Sequence, residues 1–211
     1  MKKLLSVVVV FFLMSVIVKA QGITWGVKLG PQSNFLSIKQ KTNGEWTRAL
    51  FSGIGMQAGG VADIGITNHF SIQPNLLFTM KGVNPSSESE ITLYTIDLPV
   101  NFLYKNNGFF AGFGPNLSYG LSAKQETDGA PDDDLYESNG PGDPAEFNRF
   151  EFGVNTLIGY QFKCGLTLNA HYTPGYSNLN NDDDNATETR YNTRVFGFSV
   201  GYMFGKKPLK K

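Results

Sequence analysis

Side chains able to do covalent or acid–base chemistry are few here, and their sequence neighbours are poor partners for it. The chain of 211 residues has two histidines and one cysteine. Cys164 stands in the turn-like run Lys163-Cys164-Gly165, with no base beside it to generate a thiolate. Having no second cysteine, the chain forms no internal disulfide. His69 follows Asn68 in another turn-like run, and His171 alternates with Asn169 and Thr173 along one side of an extended stretch. A hydrolase needs a nucleophile, a base and an orienting group within mutual reach. The role expected of His171 is instead that of a hydrogen-bonded interior imidazole. The acidic runs Asp132-Asp133-Asp134 and Asp182-Asp183-Asp184 invite a calcium reading, but neither has the alternating ligands and central glycine of an EF-hand loop. Both read as solvated loops. No catalytic residue, metal or cofactor is expected. With a formal net charge of zero there is no basic field to hold a nucleic acid.

The remaining candidates are the charges Lys28, Asp63, Asp97, Arg149 and Glu151, which together with His171 occupy the polar side of stretches that alternate with period two. In the clearest stretch Tyr94, Ile96, Leu98, Val100, Phe102 and Tyr104 share one face, opposite Thr95, Asp97, Pro99, Asn101 and Leu103. The same division holds over Phe109–Leu121, Phe150–Phe162, Leu166–Thr173 and Phe196–Phe204, and before them over Trp25–Gly30, Ile54–Ile64 and Phe70–Met80. About eight strands result, a number found in small closed barrels. A soluble lipocalin-like barrel would turn its apolar face inward around a ligand. The polar face here argues for the opposite. It is mainly Gly, Asn, Ser, Thr and Gln, which suits a narrow packed lumen better than a water-facing exterior rich in Lys and Glu. Aromatic residues near the strand ends, among them Trp25, Tyr104, Phe109 and Tyr202, stand where interfacial girdles would lie. The six candidates are therefore expected to form a structural polar network inside a plugged cylinder, since an isolated buried charge is costly.

The gaps between these stretches are long and short in turn. Residues 36–50, 82–90, 122–146 and 177–190 read as long loops, and 67–68, 105–108 and 163–165 as tight turns. In an up-and-down barrel this puts all long loops at one end and all turns at the other, with both termini at the turn end. At the start, Lys2 and Lys3 precede an apolar run from Leu4 to Val18, and Val18-Lys19-Ala20 offers small residues at the cleavage positions. Residues 1–20 are read as a cleaved signal peptide, 21–205 as one β-barrel domain and 206–211 as a basic tail. The fold class is all-β, a transmembrane antiparallel up-and-down barrel of about eight strands.

Several stretches resemble the PorT-like outer-membrane β-barrel family of Bacteroidetes-type bacteria. They are Gly26-Val27-Lys28-Leu29-Gly30 with Ser33-Asn34-Phe35, Ile96-Asp97-Leu98-Pro99-Val100, Gly112-Phe113-Gly114-Pro115, Phe150-Glu151-Phe152-Gly153, Tyr172-Thr173-Pro174-Gly175-Tyr176 and Gly197–Phe204. The chain departs from an aromatic C-terminus by continuing past Phe204 into a lysine-rich tail. The resemblance implies an outer-membrane location with termini in the periplasm, and for one branch a part in protein secretion. It carries no catalytic residue. The expected function is a non-enzymatic, monomeric scaffold that presents long extracellular loops. A component of an envelope secretion or assembly machinery is the alternative. The expected partners are outer-membrane lipid and envelope or secretion proteins.

Overall fold

The structure is a computed structural model that describes residues 22–42, 45–86, 89–127, 133–134, 148–177 and 188–204. The expected signal peptide, the basic tail and most of the acidic loop residues lie outside these. Among the described residues there are nine strands and no helix: β1 Gly22–Thr42, β2 Glu45–Gly65, β3 Phe70–Ser86, β4 Ser89–Asn106, β5 Phe109–Thr127, β6 Asp133–Asp134, β7 Phe150–Gln161, β8 Leu166–Pro174 and β9 Glu188–Phe204. Eight of them form the wall, each antiparallel to the next, and β1 pairs with β9 to close it. The two-residue β6 lies only against Lys124 and Gln125 of β5.

Following paired residues once round the wall measures the stagger. Ile23 leads to Ile64, Ile72, Phe102, Phe113, Thr156, Tyr172 and Phe196, and the circuit returns to β1 at Ser33, ten residues beyond its start. Eight strands with such a stagger tilt by roughly 35–45° and enclose an interior just wide enough for side chains.

Alternation settles which face is which. Ile54, Phe109 and Trp25 are 78%, 64% and 63% exposed, whereas Asn101 is fully buried and Thr79 and Ser118 nearly so. This is the reverse of a lipocalin-like barrel, so the soluble ligand-binding alternative does not fit the structure. Rings cluster on the outer face at the turn end, where Phe109 meets Tyr160 at 4.8 Å, Tyr160 meets Phe162 at 4.9 Å and Phe70 meets Tyr104 at 5.4 Å between centroids.

Two connections expected to be long loops are largely strand. The β1–β2 ladder runs without interruption to Thr42↔Glu45, and β3 and β4 remain paired to Ser86↔Ser89. Apolar alternation is required only where a strand meets lipid, while the antiparallel hydrogen-bond ladder continues wherever two strands are already in register. The hydropathy pattern therefore stops before the strands do. The tight turns lie together at the other end. In the β4–β5 turn Asn107 and Gly108 have φ of 51° and 90°, the left-handed pair of a two-residue hairpin, which explains Asn-Gly there. Lys105 and Asn106, expected in that turn, belong to β4.

One irregularity changes the facing of the wall. Tyr94 pairs with Ser122 and Thr95 with Gly120, so Leu121 is an extra residue. Such a bulge reverses the side-chain parity beyond it, and Ala123 consequently packs inside against Ile91 and Leu93.

Candidate functional site in the barrel lumen

Descending the inward face of β4 gives the plan of the lumen. Ile91 and Leu93 come first at the loop end, then Thr95, Asp97 and Asn101, then Leu103 near the turns. At the loop end Ile91, Leu93 and Ala123 of β4 and β5 form an apolar cluster, and at the turn end Leu103, Phe110 and Leu157 of β4, β5 and β7 form another. Between them the interior is mainly polar, with Leu77 among the residues that line it. This arrangement follows from where glycine, amide and hydroxyl side chains fall on the inward positions of tilted strands.

Lys81 is the hub of the polar section. Its ammonium lies 3.4 Å from Glu151 Oε2 and 3.8 Å from Asp97 Oδ1, bridging β3 to β4 and β7 across the lumen. Glu151 also accepts a hydrogen bond from the Thr193 hydroxyl, and Asp97 accepts one from Thr95 Oγ1 at 3.0 Å. Lys28 is buried on β1 and lines the same void, with Asp97 as the opposite charge acting on it. Lys28 and Lys81 thus balance Asp97 and Glu151, the condition under which buried charges are tolerable.

Below them runs an amide chain. Thr173 Oγ1 donates to Asn155 Oδ1 at 2.7 Å, and Asn155 Nδ2 donates to Asn101 Oδ1 at 2.8 Å. Gln57 Nε2 donates to Ser199 Oγ at 2.9 Å and lies 3.3 Å from His171 Nε2. Gln57 thus stands between the Ser199 hydroxyl and the His171 imidazole. The void framed by these groups measures about 20 Å³, room for roughly one water molecule.

The six candidates of the sequence reading divide by position. Lys28, Asp97, Glu151 and His171 meet around the central void. Asp63 lies at the turn end in an ion pair with Lys105. Arg149 enters from the loop end, half-buried, and donates to the carbonyls of Gly120 and Leu121 at 3.3 and 3.2 Å, which ties down the bulge in β5. Two members were missed. Lys81 directly follows the stretch that was read as ending at Met80, although its odd number already places it with Asn75 and Thr79. Lys105 was hidden by its assignment to a turn. Cys164 is exposed in the β7–β8 turn, as its sequence setting implied.

Comparison with known proteins gives this geometry its context. Residues 19–181 match the family described as outer membrane protein beta-barrel domain. The chain belongs to that family. As an outer-membrane barrel it resides in the outer membrane, and its inverted distribution of apolar and polar faces is what that location requires. Among solved structures it is similar to Neisserial surface protein A (NspA), at 15% identity over 87% of this chain and 100% of that one, with a TM-score of 0.51. It is also similar to the attachment invasion locus protein Ail of Yersinia pestis in complex with the heparin analogue sucrose octasulfate, at 14% identity over 84% and 99%, TM-score 0.40. Outer membrane protein OprG from Pseudomonas aeruginosa is 10% identical over 89% and 98%, TM-score 0.40. At 15% identity the likeness to NspA is one of fold. No curated protein matches the chain. In this outer-membrane barrel, then, the lumen brings Lys28, Lys81, Asp97, Glu151 and His171 together around one void.

Proposed function

We propose that the protein is a non-enzymatic outer-membrane scaffold whose lumen is a structural plug and whose loop end meets a partner outside the cell. The observation that carries this reading is the filled interior: a charge-balanced polar section with an apolar cluster toward each end and a central void of about 20 Å³. A route for ions would need a continuous wet path, and a void with room for roughly one water molecule does not supply one. The network Lys28, Asp63, Asp97, Arg149, Glu151 and His171, extended by Lys81 and Lys105, serves in this reading to hold the strands in register. Export by the signal peptide 1–20 and a monomeric barrel with both termini in the periplasm complete the proposal. That orientation sends the extended β1–β2 and β3–β4 ribbons outward. Planar-bilayer recording with the purified full chain tests the plug, with no steady conductance expected. Stable single-channel steps at neutral pH would overturn it.

The resemblance to PorT-like proteins supports a second reading, a component of a secretion or assembly machinery in the cell envelope. It predicts a stable envelope partner recovered by crosslinking in the native host. Recovery of the barrel alone would count against it.

A further inference from the structure

The outer wall is not uniformly ridged. On the row Ile158↔Ala170↔Phe198, which crosses β7, β8 and β9, the methyl of Ala170 lies between two bulky neighbours. On the adjacent row the sequence is Tyr160↔Leu168↔Val200. The result is a concavity of about 440 Å³ on the lipid-facing surface, lined by Ile158, Tyr160, Leu168, Ala170, Phe198 and Pro31, within the ~300–1,000 Å³ range of small-molecule sites. It lies in the half of the wall nearest the turns, since β8 begins at Leu166 and β7 ends at Gln161. Ala170 is its floor, between Ile158 and Phe198 on the flanking strands. Tyr160, held edge-on by both Phe109 and Phe162, fixes the lower wall.

Just beyond that lower wall is the β7–β8 turn, closed by the bond from the Gly165 amide to the Phe162 carbonyl. It carries Lys163, exposed, two residues past the end of β7. An apolar slot at acyl-chain depth with a cation at its headgroup end is a two-part feature, and both parts fit one kind of molecule. We propose that this groove retains a single anionic phospholipid from the leaflet at the turn end, one acyl chain lying over Ala170 and the phosphate held by Lys163. A second copy of the barrel is the poorer occupant, because it would bury a broad surface and leave Lys163 without a use.

Native mass spectrometry of the full chain, purified in detergent and exposed to phosphatidylglycerol or phosphatidylcholine vesicles, tests this. One phosphatidylglycerol should survive activation that strips other lipids, favoured about fivefold over phosphatidylcholine, as ~1 kcal/mol per lysine near a charged surface implies. Ala170→Phe should abolish the retained lipid, while Ala58→Phe, the same change elsewhere on the outer face, should leave it. Lys163→Gln, which alters no packed position, should keep a lipid bound but erase the headgroup preference. Heat-modifiable gel mobility verifies folding of each variant. Equal retention in wild type and Ala170→Phe, loss in Ala58→Phe as well, or an unchanged preference in Lys163→Gln would overturn the proposal. So would a wild-type dimer that Ala170→Phe dissociates, which would assign the groove to a second copy.

Discussion

Along β4 the inward residues Thr95, Asp97, Asn101 and Leu103 alternate with the outward residues Ile96, Leu98, Phe102 and Tyr104, so one strand carries two faces held by different forces. Inside, the charged and amide groups at the centre depend on particular partners: Asp97 on Thr95 and Lys81, Asn101 Oδ1 on Asn155. Outside, the side chains meet hydrocarbon, which is as apolar as they are, so there is little hydrophobic gain from packing any one of them. The difference teaches that the inner face is specified residue by residue, while the outer face is specified only as apolar, with rings at its margins. Substitutions should therefore be costly inside in proportion to the partners they orphan, and outside in proportion to the polarity they introduce.

The largest effect is expected at the hub. Lys81→Met leaves Asp97 and Glu151 buried without the cation that lies between them, and breaking a buried pair in this way costs about 3–5 kcal/mol. Urea unfolding in lipid vesicles, followed by tryptophan fluorescence, should show the midpoint fall accordingly. Adding Glu151→Gln to Lys81→Met should restore much of the loss, because it leaves Lys28 and Asp97 as a balanced pair. A single variant as stable as wild type would mean the interior tolerates change as the exterior does.

Next comes the apolar cluster at the turn end. Leu103 is 1% exposed and packs with Phe110 and Leu157. Leu103→Ala should cost about 2–5 kcal/mol through lost transfer energy and the cavity left behind. The same unfolding measurement reads it. Because the packed polar section remains, planar-bilayer conductance should stay at baseline even in this variant.

How far the sequence discloses such positions depends on what a period of two can carry. Alternation along Tyr94–Tyr104 and Phe109–Leu121 states which residues share a face, and the structure places those residues on the faces expected. The turns at Asn68, Asn107-Gly108 and Lys163–Gly165 were legible because each carries residues with turn chemistry. Lys81 was not, since the residues after it, Gly82, Val83 and Asn84, no longer alternate in polarity, and the stretch appeared to be over. The same blindness hid the outer parts of β1, β2, β3 and β4, where a ladder persists after the apolar pattern ends. The bulge at Leu121 was invisible for another reason: a single unpaired residue is defined by its register with β4, which no local pattern encodes. Likewise, which inward residues touch depends on the ten-residue stagger, and this emerges only when all eight strands close.

The outer face supplies the contrast with the interior. Phe113 is 63% exposed, on a row midway between the ring clusters of Phe109 with Tyr160 and Tyr119 with Phe150. Phe113→Arg should cost about 2–4 kcal/mol, the penalty for a guanidinium at the bilayer midplane, although it disturbs no partner inside the barrel.

The smallest expected effect is the sharpest test of the comparison. Phe113→Leu removes a ring from that same position and changes shape more than many core substitutions do, yet it keeps the surface apolar. If the lipid face is specified only by polarity, the cost should stay under about 1 kcal/mol, since the chains of the bilayer reshape around the smaller residue where a protein core would not. Unfolding midpoints of Phe113→Leu and Leu103→Ala, measured in the same vesicles, should then differ clearly even though each removes a large apolar side chain. Equal losses would show that Phe113 packs against its outer neighbours as tightly as Leu103 packs within, and the division between a specified inside and a permissive outside would fail for this wall.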